Sequence, residues 1–114
     1  MLLTALAVLL AVGCLLPGTA KVTSHPRMRA SAARFNIVWE RYQLIGVAEL
    51  AAALGVLAGL FFRPVGVLAA ACLAVLLLGA IRTHLRAGDT VREFLPALVI
   101  LVVDALYLGS ALTL

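Results

Sequence analysis

Four stretches of roughly twenty residues, nearly free of charge, decide what this chain can become. Residues 1–20 carry no charged side chain, and residues 42–62 carry one, Glu49. Residues 64–81 carry none and continue to about His84, and residues 94–114 carry one, Asp104. A helix crossing the hydrocarbon core of a bilayer needs roughly 20 mostly apolar residues, so each stretch is long enough to span. The overall balance agrees: 65% of the 114 residues are hydrophobic and 12% charged, where soluble domains carry about 25% charged. That shortage excludes a water-soluble enzyme, a disordered chain and a nucleic-acid-binding module, despite a net charge of +4. Leu and Ala supply 46 residues between them. They favour helices over the alternating strands of a membrane barrel. The expected fold is all-α: one membrane-embedded bundle of four transmembrane helices at about 1–20, 42–62, 64–86 and 91–113.

Local punctuation places the boundaries. The first stretch lacks the basic segment of a signal peptide, since Met-Leu-Leu-Thr is uncharged, and reads as a retained helix. Pro17-Gly18 is expected to end or kink it. Pro64 suits the first turn of the third span, so Phe61-Phe62-Arg63-Pro64 reads as a tight hairpin. Gly88 can close that span, and Thr90-Val91-Arg92-Glu93 reads as a capping box opening the fourth. Pro96 is expected to kink the fourth. Between the first two spans, Met28, Ala32, Phe35 and Trp39 recur at helical spacing opposite Arg27, Ser31 and Arg34. With Pro26 to start it, residues 26–37 are expected to form a short amphipathic helix in the membrane interface.

Small residues set the expected packing. Lipid tails are as apolar as leucine, so membrane helices associate where small residues let backbones approach. Ala51, Gly55 and Gly59 on the second span and Gly66, Ala70 and Ala74 on the third form two such stripes. A short connection makes these spans antiparallel neighbours. Cys14 and Cys72 have no neighbouring cysteine and read as small buried side chains. No metal site emerges from two histidines without nearby cysteine.

Ionisable groups inside spans are the candidates for chemistry, because such groups are costly and commonly mark function. Glu49 lies seven residues past Tyr42, about 10 Å into the membrane at 1.5 Å per residue. Small neighbours on its face could admit a helix or a ligand, and Arg41, Lys21 or Arg82 could pair with it. Asp104 falls near the middle of the fourth span with Tyr107 one turn on, and a bond to Tyr107 or to a backbone group is expected for it. Glu49 and His84 are the candidate acid–base residues. Lys21, His25, Arg41, Tyr42, Glu49, Asp104 and Tyr107 are the candidate ligand-binding residues.

Three segments give the chain a family resemblance: Pro17-Gly18-Thr19-Ala20-Lys21, His25-Pro26-Arg27-Met28, and Tyr42-Gln43-Leu44-Ile45-Gly46-Val47-Ala48-Glu49. With Leu77-Leu78-Gly79-Ala80, His84 through Asp89 and Pro96-Ala97-Leu98, the chain resembles the DoxX-like small membrane proteins over almost its whole length. The resemblance implies a bacterial inner-membrane four-helix bundle, in a family that includes a subunit of a thiosulfate:quinone oxidoreductase and partners in oxidative-stress complexes. Lys21, His25, Glu49 and His84 match its recurring polar positions, but the family offers no agreed catalytic set. Without a redox cysteine pair, any electron-transfer role depends on a bound quinone or a partner protein.

The leading functional expectation is an accessory or redox-associated membrane subunit with a small lipophilic-ligand pocket, quinone- or isoprenoid-like, near Glu49. Its partners are then the lipid bilayer, a redox or membrane protein, or a second copy in a homodimer. A stand-alone enzyme doing acid–base isomerisation or cyclisation on a lipophilic substrate is the second. A proton-coupled exporter ranks third, since the first span has no ionisable residue and aromatics make up only 6% of the chain.

Charge sets orientation. Lys21, Arg27, Arg29, Arg34, Arg41, Arg82, Arg86 and Arg92 lie on the two long connections, and Arg63 alone lies on the other side. Positive residues concentrate on the cytoplasmic face, so both termini are expected outside. A reporter fused to the C-terminus is expected to read outside the cytoplasm in intact cells; a cytoplasmic signal overturns this orientation.

Overall fold

The structure is a computed structural model and describes residues 2–113. It contains five helices: α1 (Leu2–Val22), α2 (Pro26–Arg34), α3 (Trp39–Ala58), α4 (Arg63–Arg86) and α5 (Val91–Thr113). Four of them, α1, α3, α4 and α5, are long and apolar enough to cross a membrane. Its longest dimension is 41 Å, which matches the roughly 40–45 Å of a bilayer with its headgroup regions.

The spans form a ring in which α1 borders α3 and α5, and α4 borders the same two helices. Each span points a narrow strip inward. Leu6, Ala7, Leu10, Ala11 and Cys14 of α1 meet Ala52, Ala53 and Val56 of α3, Ala70 and Leu73 of α4, and Tyr107 and Ala111 of α5. Large apolar side chains such as Leu16, Leu44, Leu54, Leu68 and Val75 face outward. That distribution suits a hydrocarbon solvent, where outward leucines carry no penalty and close packing selects small inward residues.

The small-residue stripes work at particular points rather than along their whole length. Gly59 meets Gly66 across the α3–α4 hairpin, and a Cβ on Gly55 would stand 2.6 Å from the Ala69 Cβ. Ala51, however, faces outward, one residue off the strip made by Ala52, Ala53 and Val56. Cys72 is also exposed whereas Cys14 is buried, because α4 turns only its Gly66–Ala70–Leu73 strip inward.

Helix ends differ in instructive ways from the hydropathy reading. α1 runs through Pro17 to Val22 instead of ending there. Prolines are tolerated inside membrane helices because neighbouring groups can satisfy the backbone they free. α5 likewise runs unbroken past Pro96. α3 begins at Trp39 and ends at Ala58, so the turn into α4 is Gly59–Phe62, with Pro64 in the first turn of α4. The short helix α2 stops at Arg34.

Three helices at the basic end finish on a residue in the left-handed region: Ser24 (φ 61°), Asn36 (φ 58°) and Gly88 (φ 80°). Each is followed by the paired backbone bonds of a Schellman turn, such as Gly88 N–H to Leu85 O at 3.1 Å and Asp89 N–H to His84 O at 3.0 Å. Two of these turns flank α2, and the His25 side chain caps its start by accepting from the Arg27 N–H at 3.1 Å. α2 is thereby fixed across the basic end, with Ala32 buried and Met28 and Phe35 half-buried. At the start of α5, the Glu93 carboxylate accepts from the Thr90 N–H and hydroxyl, at 3.4 and 3.2 Å.

Candidate functional site

The basic end holds two polar clusters. The first lies between α1 and α3, where the helices come closest. A Cβ on Gly46 would stand 2.6 Å from the Lys21 Cβ and 3.0 Å from the Gly18 carbonyl oxygen. Glycine at 46 therefore leaves clear the strip of α3 along which the lysine stem lies. That stem carries the ammonium one helical turn deeper, to an ion pair with the Glu49 carboxylate. Both side chains are 13% exposed. Of the three bases within reach in the sequence, the structure selects Lys21.

Tyr42 completes this cluster. It is buried, and the Lys21 ammonium sits 5.0 Å from its ring centroid, a cation–π contact. Trp39 stacks on Tyr42 at 5.9 Å. Beside them, Gln43 donates to the Val22 carbonyl at 3.2 Å and to the Ser24 hydroxyl at 3.3 Å, tying α3 to the turn after α1. Breaking a buried ion pair by removing one partner typically costs about 3–5 kcal/mol, because the other charge is stranded. Lys21 and Glu49 are therefore interdependent.

The second cluster joins α2 to the α4–α5 turn. The Gly88 turn swings Asp89 back along α4, so that His84 Nδ1–H donates to Asp89 Oδ2 at 2.6 Å. The other Asp89 oxygen accepts from the Arg34 guanidinium at the end of α2. Glu93 Oε2 lies 3.7 Å from the same guanidinium. Phe35 meets the His84 ring edge-on, with centroids 4.9 Å apart, and Phe94 lies on the other side at 6.1 Å. The result is a histidine held by a carboxylate in an aromatic sleeve, its Nε2 left as the remaining polar atom.

The remaining candidates are dispersed. His25 is exposed and serves α2 as its cap. Arg41 is exposed and makes no ion pair among the described residues. Asp104 and Tyr107 lie deep in the bundle, at 0% and 2% exposure. The expected bond between them is absent. Both Asp104 oxygens lack a hydrogen-bond partner among the described residues, because the Tyr107 ring crosses to the Gly59–Gly66 contact and takes its hydroxyl there. Unpartnered acids inside a membrane domain are functional candidates by default.

The described residues thus form four apolar spans with the short helix α2 between the first two, and polar clusters gathered at one end. A family model described as DoxX-like matches residues 5–106. The chain belongs to the DoxX-like family. Comparisons with curated proteins and with solved structures gave no match.

Within this DoxX-like bundle, Arg34 and Asp89 are the functional-end residues that site selection from sequence overlooks. The available signal is the spacing: a glycine four residues after His84, followed at once by an acid, is what a Schellman turn needs to return a carboxylate to the histidine. Asp89 lies at the edge of the DoxX-like fold, but its side chain is only 3% exposed beneath its partners. The hydrogen bond from Arg34 holds its carboxyl well below the usual carboxylate range, with the His84 bond adding to the effect. A carboxyl so depressed stabilises the fold above its unfolded pKa, about 3.9, and the contribution is lost as pH falls below that. Asp89→Asn is expected to lower the melting temperature in detergent at neutral pH and to lose less than wild type between about pH 5 and 3. Equal acid-side losses in the two proteins would show that the cluster does not hold α2.

Proposed function

We propose that the protein is an accessory subunit of the bacterial inner membrane that binds a lipophilic molecule with hydrogen-bonding oxygens, of the quinone or isoprenoid type, beside the Lys21–Glu49 pair. The observation that carries this reading is a charged pair held about two turns inside a span, with its lysine over the buried Tyr42 ring. An ammonium and a phenol on an otherwise apolar wall suit a ligand whose ring stacks and whose carbonyl accepts. Few polar groups on apolar walls are the usual composition of small-molecule sites.

With both long connections in the cytoplasm, this pair would lie toward the cytoplasmic leaflet. His84, oriented by Asp89, would serve as the proton-exchanging group. A redox partner protein would supply or remove electrons, as this chain has no cysteine pair to do so.

The test is thermal unfolding of the full chain in neutral detergent with decyl-ubiquinone. A ligand that binds only the folded state adds about 2.7 kcal/mol at a hundred times its Kd. The quinone-dependent increment is expected in wild type and is expected to vanish in Glu49→Gln and shrink in Tyr42→Phe. An equal increment in all three overturns the site.

A further inference from the structure

Two cavities lie at the opposite end of the bundle, around Arg63. One, of about 340 Å³, is lined by polar Thr4, Arg63 and Tyr107 together with Leu3, Leu60 and Phe61. The other, of about 530 Å³, is an apolar groove along α4, lined by Pro64, Val67, Leu68, Ala71 and Leu112. Arg63 and Ala111 belong to both. A polar chamber and an apolar groove thus meet at a single guanidinium.

The chamber has the features of a built site. Tyr107 is 2% exposed, and its hydroxyl makes no hydrogen bond among the described residues. A buried phenol that lines a cavity without a protein partner has a donor to offer whatever enters. Among the described residues, Arg63 is the only Lys or Arg at this end. Its guanidinium makes one long contact, 3.5 Å to the Ala111 carbonyl, which holds the head between chamber and groove and leaves donors free, since arginine carries five. The groove spans the seven-residue interval from Pro64 to Ala71, roughly 10 Å at 1.5 Å per residue.

We propose that this end binds one amphiphile with an oxyanion headgroup, a phosphate monoester or carboxylate, seated on Arg63, Tyr107 and Thr4, with its chain in the α4 groove. The site is separate from the one beside Glu49 and does not depend on it. Arginine supplies planar, charge-assisted donors to such a headgroup. The Tyr107 hydroxyl adds a further donor from the chamber floor. The first methylenes pass between Leu3, Leu60 and Phe61, and the rest of the chain lies on α4. At about 340 Å³ the chamber sits at the small end of ligand sites, roughly 300–1,000 Å³, sized for a headgroup and not for a whole lipid.

The experiment is native mass spectrometry of the full chain in neutral detergent, titrated with dodecyl phosphate. One adduct per chain is expected, weakened about tenfold by Arg63→Gln, as loss of a charge-assisted contact implies. Tyr107→Phe, which keeps the ring and the Gly59–Gly66 packing, and Leu68→Trp, which fills the groove, are each expected to weaken it as well. Circular dichroism identifies any variant that fails to fold, and the remaining variants still decide the outcome. Dodecanol is expected to bind more weakly than dodecyl phosphate, and inorganic phosphate to leave the adduct in place. Wild-type binding in the folded variants overturns the site. Equal binding of dodecanol would mean plain adsorption of the chain, and full competition by inorganic phosphate would mean an anion site without the groove; either result overturns the proposal.

Discussion

A lysine and a glutamate inside a membrane domain need each other. Lys21 and Glu49 sit on different helices, both nearly dehydrated, and among the described residues neither has a second opposite charge beside it. The cost of a lone charge in that position exceeds most single packing terms in a bundle of this size. The pair therefore fixes how α1 lies on α3, the broadest helix contact in the molecule. Gly18 and Gly46 exist to permit it, since a side chain at 46 would strike the lysine stem. Once α1 and α3 are locked, the short α3–α4 and α4–α5 turns leave the other two helices little choice of place.

The two ends of the bundle are finished differently, and the difference bears on function. At the basic end, left-handed turns, the His25 cap and the Arg34–Asp89–His84 cluster hold α2 as a fixed cover. The shielded groups there, Lys21 with Glu49 and His84 with Asp89, are paired with one another, so a ligand would have to share or exchange partners. At the Arg63 end the hairpin is short, the chamber is open and the Tyr107 hydroxyl has no hydrogen-bond partner among the described residues. Asp104, with no partner for either oxygen, lies one turn from Tyr107 on α5. Unspent buried hydrogen-bonding capacity thus lies on α5, in Asp104 and Tyr107, while the shielded acids of the basic end, Glu49 and Asp89, are paired.

Much of this was legible in the residues themselves. The spans follow from charge-free length, and the short helix α2 from apolar residues every three or four positions set against three polar ones. The α3–α4 contact follows from its small residues, although the stripe drifts, because Ala51 sits one residue off the strip that turns inward. Helix ends were less readable. Pro17 reads as a possible end to its helix, yet in a membrane domain the backbone groups a proline frees can be satisfied by neighbouring helices, and α1 runs on to Val22. The pairing of Glu49 with Lys21 over Arg41 or Arg82 depends on where two glycines let helices cross. Asp104 shows the limit most plainly. Its neighbour at i+3, Tyr107, is a reasonable partner on one helix, but the ring is recruited by a glycine contact between two others.

The claim on which the account rests is that Lys21 and Glu49 act as one unit. The direct measurement is a double-mutant cycle of unfolding free energy in mixed micelles, with Lys21→Met, Glu49→Gln and both together. Each single change is expected to cost about 3–5 kcal/mol by stranding its partner, and the double change far less than their sum. Strictly additive losses would contradict the account, because they would mean that the two residues stabilise the bundle separately.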